Sequence, residues 1–203
     1  MTNNQVGRPL VPGIKEALIQ AAERIMATEG FSGLTVDGLV MEVGTTRPTF
    51  YRRYSNVAHL AFEVIEARFG TGTPVNTGSL YGDLLKLQRE DIAMFASPLL
   101  RNNLPGLLES VRTDLTVRER YRDEFIGPRR ANVAKVIAAA VERGELADRR
   151  VDIDIACDLL VGPILARTLL PLAVAVDDRL ARQTAQVVLD YLRSAVAVEK
   201  IGA

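Results

Sequence analysis

Apolar residues recur along this chain at intervals of three and four, the spacing of one face of a helix. The first run predicts a helix over residues 12–29, with Ile14, Leu18, Ala22, Ile25 and Met26 on one face and Gly30 ending it. Phe31 and Leu34 drop into the same core. Two short helices follow, over 36–43 and 47–54, and a fourth over 57–69 that Asn56 caps. The fourth carries Leu60 and Val64 on one face and Phe62, Ile65 and Phe69 on another, a pattern suited to packing on two bodies at once.

Glycine and polar residues interrupt the pattern over 70–78, and the domain boundary is placed there. Beyond it the spacing predicts a helix over 79–96 and a short one over 106–114, after a connecting segment bracketed by Pro98 and Pro105. A long helix over 117–143 is interrupted at Gly127-Pro128. Helix eight covers 153–170 and helix nine runs from Asp177 or Asp178 to about Val198. Pro128 and Pro163 each remove a backbone hydrogen bond and should kink their helices or open carbonyls to a partner. The fold class is all-α, about nine helices: a three-helix N-terminal unit over 12–69 that includes a linking helix at 57–69, then a helical domain over 70–203. Residues 1–11 read as a flexible arm.

The second and third helices make a helix-turn-helix. Val36, Leu39, Val40 and Val43 form a face that must pack. Gly44 lies where the chain turns sharply and favours a residue that tolerates positive φ. Thr46 caps the next helix, and Pro48 falls in its first turn, where a missing N–H costs little. Between Thr45 and Asn56 stand Arg47, Arg52 and Arg53, Tyr51 and Tyr54, three threonines and no acid. Phe50 is the inward anchor, and the polar residues around it are placed to reach base edges and phosphates.

Overall composition changes this picture little. The 203 residues carry 25 Lys+Arg against 25 Asp+Glu, so nucleic-acid binding must rely on a local patch, and a histone-like or RNA-coating role is disfavoured. One cysteine, Cys157, excludes an intramolecular disulfide and reads as a buried small hydrophobe. With one histidine, His59, there is no metal-ligand cluster, and no Ser–His or Cys–His pair can form in the second domain. Neither an enzyme nor a cofactor is expected. His59 reads as a surface or packing residue, with a phosphate contact as the sharper alternative. No signal peptide and no apolar run of membrane-spanning length is found, so a cytoplasmic location without membrane contact is expected.

The run ATEGFSGLTVDGLV, then MEVGTTRPTFYRRYSN, then VAHLAFEVI resembles the N-terminal domain of the TetR family of bacterial transcriptional repressors. The likeness is close over residues 14–69; beyond, it rests on helical character and length. It implies a homodimer on an inverted-repeat, double-stranded DNA operator, released by a small apolar or amphipathic effector. An activator, or a regulator answering to a protein partner, remains the alternative. On this reading Arg47 contacts guanine, Pro48 and Thr49 pack on thymine methyl groups, and Tyr51 matches the family's base- or phosphate-contacting tyrosine. Thr45, Thr46, Arg52, Arg53 and Tyr54 hold phosphates. One departure stands out: relatives often carry a phosphate-binding Lys where this chain has Val57. For the effector, Asp91, Met94, Phe95, Leu108, Val111, Tyr121, Phe125, Ile164 and Arg167 are the candidate pocket residues. Leu159, Val187, Val188, Tyr191 and Leu192 of helices eight and nine are the candidate dimer interface.

Overall fold

A computed structural model of the chain describes residues 13–70, 72, 75–147, 151–170 and 174–194. The arm over 1–11 and the last turn expected for helix nine lie outside the described residues. Within them every regular element is helical.

α1 (Ile14–Thr28) buries Leu18, Ala21, Ala22, Ile25 and Met26. A 3-10 turn (Phe31–Gly33) leads into α2 (Val36–Val43), whose first turn is capped by the Thr35 hydroxyl accepting from the Gly38 N–H. Gly44 ends α2 at φ 66°, and the Thr45 N–H reaches back to the Val40 carbonyl at 2.9 Å. That left-handed residue sets the angle at which α3 (Arg47–Tyr51) leaves the turn. The Thr46 hydroxyl caps α3, which then loosens into a turn held by Phe50 accepting from the Arg53 and Tyr54 N–H groups. α4 (Val57–Phe69) is capped by Asn56, whose side-chain Oδ1 accepts from the His59 N–H at 3.0 Å. Leu60, Phe62, Val64 and Ile65 are all buried, and α4 packs on α1 and on the helices of the second half.

α5 (Leu80–Ala96) and α6 (Pro98–Thr113) follow, the latter capped by Ser97. α6 corrects the expectation of a connecting segment before Gly106. Pro98 sits in its first turn, where it fits, and Pro105 lies inside one continuous helix. The missing bond at Pro105 is outweighed by a buried stripe of Leu99, Leu100, Asn103, Leu104 and Leu107. The Asn103 amide donates to the Met26 carbonyl at 2.9 Å, fixing α6 to α1.

α7 (Leu115–Arg120), a π turn (Tyr121–Ile126) and α8 (Gly127–Glu142) run on as one rod. The widened turn lets the chain absorb Pro128 without breaking, and it leaves the Phe125 carbonyl to accept from the Arg129 side chain at 2.8 Å. α9 (Ile153–Leu169) and α10 (Asp178–Ser194) complete the chain, α10 packing mainly on α5 and α9.

Two apolar clusters result. One runs from α1–α4 into Ile92, Leu100, Leu107, Phe125 and Ile164, so the head and the near end of the second half share a core. The other joins Leu84, Val136, Ile137, Leu160, Val188 and Leu192 at the far end. There Asp83, wholly buried, accepts from Thr77 and from Arg143 at 2.9 Å, tying the start of α5 to the end of α8.

Candidate functional site

The helix-turn-helix turns one polar edge outward. Thr46, Arg47, Pro48, Tyr51 and Arg52 are exposed, and Thr45, Thr49 and Arg53 are partly so. Phe50 is wholly buried beneath them and meets the Tyr51 ring edge-on at 5.5 Å. The Arg52 guanidinium donates to the Thr49 hydroxyl at 3.4 Å, and Arg53 donates to the Thr49 carbonyl at 3.2 Å. Arg47 is held by both carboxylate oxygens of Asp37 on α2, and this pair lowers the Asp37 carboxyl below its ordinary range. Asp37 is the acid that reading the recognition helix alone misses; it lies ten residues back, in the first turn of the preceding helix.

Tyr54 is a correction. It is 2% exposed, with its ring packed on Phe50 at 5.4 Å and on His59 at 5.0 Å, so it is an anchor and not a phosphate contact. His59 is likewise a packing residue. Its Nδ1 accepts from the Ser55 N–H and lies 3.3 Å from an Arg120 nitrogen, and burial followed by the Arg120 charge depresses its pKa. Beside it the Asn56 amide donates to Asp114 at 2.9 Å, and the other oxygen of Asp114 caps α7. The start of α4 is thereby tied to the α6–α7 junction.

In the second half a cavity of about 310 Å³ opens between α5, the π turn, α8 and α9. Its walls include five of the nine predicted pocket residues: Asp91, Met94, Phe95, Tyr121 and Phe125. The other four lie elsewhere. Leu108 and Val111 pack on the core from α6, and Ile164 is fully buried in it. Arg167 donates to the Ala175 carbonyl at 2.8 Å, bracing the α9–α10 loop. Two cations line the wall, Arg129 and Arg130, both missed in the sequence; they stand in the first turn of α8, directly after the π turn. Arg129 donates to the Phe125 carbonyl and, at 2.7 Å, to the Gly70 carbonyl that ends α4, and its guanidinium lies 4.0 Å over the Phe125 ring. Phe69, Leu160, Val161 and Leu165 complete much of the apolar wall. Burial pushes the Asp91 carboxyl up to about 6 despite the opposing pull of Arg129. Burial also raises the Cys157 thiol to about 11, leaving it an inert wall residue.

The candidate interface residues divide in two. Val187 is 51% exposed, and Leu159 and Tyr191 are partly exposed, with Ile155 open on the neighbouring helix. Val188 and Leu192 instead point into the far cluster, so they are core residues of the protomer. Among the described residues no helix is long and apolar enough to cross a membrane.

Residues 74–188 match the sequence model described as the tetracyclin repressor-like C-terminal domain, and residues 18–64 match that of the bacterial regulatory proteins of the tetR family. The chain is 28% identical over 165 residues to the uncharacterized HTH-type transcriptional regulator YdeS of Bacillus subtilis, covering 81% of this chain and 82% of that protein. It is 26% identical over 179 residues to the uncharacterized HTH-type regulator Rv1556 of Mycobacterium tuberculosis, covering 86% of each. Among solved structures, the TetR family transcription regulator SCO0332 superposes with a TM-score of 0.69 at 26% identity, covering 87% of this chain and 97% of that one. FadR of Bacillus subtilis, solved in complex with stearoyl-CoA, shares the fold with a TM-score of 0.57 at 15% identity, over 89% of this chain and 98% of that one.

Proposed function

The chain belongs to the TetR family of bacterial transcriptional regulators, and from that premise we propose that it is a homodimeric repressor whose grip on an inverted-repeat operator is released by a small amphipathic effector. Residues 12–69 serve as the DNA-binding half, and residues 70–203 as the half that holds the effector and the dimer contact. The observation that carries this reading is the mooring of α4 at both ends. Its capping residue Asn56 is bonded to Asp114, and the Gly70 carbonyl at its far end is bonded to Arg129 in the cavity wall.

A guest that displaces Arg129 frees the end of α4, and because Leu60, Val64 and Ile65 are locked in the shared core the whole helix must pivot. The reading head moves with it. In a dimer, two recognition helices fit successive major grooves about one helical turn, ~34–36 Å, apart. A pivot spoils that spacing, and a coupling of ~1–3 kcal/mol weakens operator binding by ~5–150-fold. On the head, Arg47 reads guanine with Asp37 steadying its planar fork, Pro48 and Thr49 meet thymine methyl groups, and Tyr51 reaches a base or a phosphate. Thr45, Thr46, Arg52 and Arg53 grip phosphates, and the N-terminus of α4 supplies the backbone amides that stand in where Val57 replaces a lysine. Dimerisation uses Leu159, Val187 and Tyr191, with Ile155 beside them.

Selection of binding sites from random duplexes, followed against salt, tests the reading. An inverted repeat with a steep negative log–log salt slope is expected. Enrichment of single half-sites would contradict the dimer, and enrichment of nothing would contradict operator binding.

A further inference from the structure

We infer that the cavity is built for a lipophilic cation, a molecule with one amine or quaternary ammonium head beside Asp91 and an apolar body against the aromatic wall; this deepens, and rests on, the reading of the cavity as the effector site. The wall holds five charged side chains, Glu90, Asp91, Arg129, Arg130 and Asp158, which differ in what already meets them, and Glu90 is among those engaged. Arg129 donates to the carbonyls of Phe125 and Gly70 and to the Met94 sulfur at 3.5 Å, and lays its guanidinium over the Phe125 ring. Arg130 is paired with Asp154 and Asp158 on α9, which satisfies the second wall cation and the Asp158 carboxylate together. Asp91 is different. Among the described residues its carboxylate accepts no hydrogen bond and has no cation at ion-pair distance, the charge of Arg129 acting on it only from farther off, and Met94 and Phe95 of its own helix line the wall beside it.

A carboxylate set in an apolar wall without a partner costs stability until a cation or donor arrives. An anionic guest would sit against the Asp91 carboxylate, whereas a cationic head beside Asp91 competes with Arg129 for the attraction of that carboxylate and repels the guanidinium, the displacement that the proposed release requires. A cationic guest meets the Asp91 carboxylate and a wall that includes the aromatic residues Phe69, Phe95 and Tyr121, a residue type that attracts positive charge. The aliphatic lining from Leu87, Val161 and Leu165 takes the body of the molecule.

The test uses three probes with the same eight-carbon chain and different heads: octyltrimethylammonium, 1-octanol and octanoate, titrated calorimetrically into the intact protein at neutral pH. The cation is expected to bind about 10-fold tighter than the alcohol, a gap that a partly desolvated charge contact supplies. Asp91→Asn is expected to abolish that gap, and Asp91→Glu to retain most of it; thermal unfolding confirms that both variants fold. Equal binding of cation and alcohol would overturn the cation assignment and leave the effector cavity standing. Tightest binding of octanoate would overturn it in favour of Arg129 as the head-group site. Binding of none of the three would overturn both readings. Asp91-dependent binding of the cation with no change in operator affinity would uphold the site and overturn its regulatory role.

Discussion

The reading head and the second half of this chain use charge in opposite ways. On the head, Arg47 on α3 and Arg52 and Arg53 in the turn after it stand outside the apolar plug of Phe50 and Tyr54, and their partners are local: Asp37 and Thr49. In the second half, Arg129, Arg130 and Arg143 turn toward cavity or core and join elements far apart in sequence. Outward charge on a rigid plug suits a rigid target of repeating phosphates. Inward charge makes struts, and a strut is something a bound molecule can knock away. The contrast fits the proposed division between a half that reads DNA and a half that responds to an effector.

The largest expected effect comes from attacking the plug. Phe50→Ala removes a wholly buried ring and should cost about 3–5 kcal/mol of stability, measured by denaturant unfolding, with operator binding lost. Because the head shares its core with Ile92, Leu107 and Phe125, one cooperative transition is expected; a separate early melting of the head would show two independent bodies.

Arg47→Ala should lower operator affinity by ~10–100-fold and leave the unfolding midpoint unchanged, as expected of an exposed reader of bases. Gel-shift titration beside thermal unfolding checks both halves of that statement.

Asp91→Asn tests the second half. The folded carboxyl titrates at about 6, above its ordinary ~3.9 in an unfolded chain, so its ionised form is disfavoured by folding. The penalty is absent below ~4, grows as pH rises between the two values and is complete above about 6. The asparagine variant should therefore gain on the order of 1–3 kcal/mol at pH ~8 and nothing at pH ~4. Unfolding curves at the two pH values decide it, and a gain independent of pH would show that Asp91 is not the buried charge.

The smallest effect belongs to Asp37→Asn. Binding to random duplex should tighten a few-fold as a negative charge leaves the DNA-facing surface, and discrimination between operator and random sequence should fall as Arg47 loses its brace. Paired affinity measurements on the two duplexes would show this, and unchanged discrimination would free Arg47 of any dependence on Asp37.

The head was legible in the sequence because its determinants are local. Thr35, Gly44, Thr46, Pro48 and Asn56 act within a few residues of their own positions, and each stands where a cap or turn needs it. What local pattern leaves open is the choice among residues of like chemistry on adjacent faces. Tyr51 and Tyr54 are three residues apart, and only the packing of His59 from α4 decides that Tyr54 goes inward. The stripe on α10 is too wide to orient from spacing, so Val188 and Leu192 read as well for an interface as Val187 and Tyr191; the α5 contact selects the first pair for the core. Arg129 and Arg167 differ in what holds them: Arg129 follows the π turn and bonds to the Gly70 carbonyl in the cavity wall, while the α9–α10 loop carbonyl holds Arg167. A π turn has no compact sequence signature, although Pro128 marked its neighbourhood.

The most direct test of the strut is the spacing of the two reading heads. Spin labels placed through Ser55→Cys, an exposed position between α3 and α4, report that distance in the dimer by pulsed electron resonance, and Cys157 is too buried to compete for label. Replacing Arg129 by Ala should shift or broaden the distance distribution relative to the unsubstituted protein, and replacing Arg130, whose bonds go to α9 alone, should not. Identical distributions in all three proteins would contradict the claim that the cavity wall sets the position of the heads.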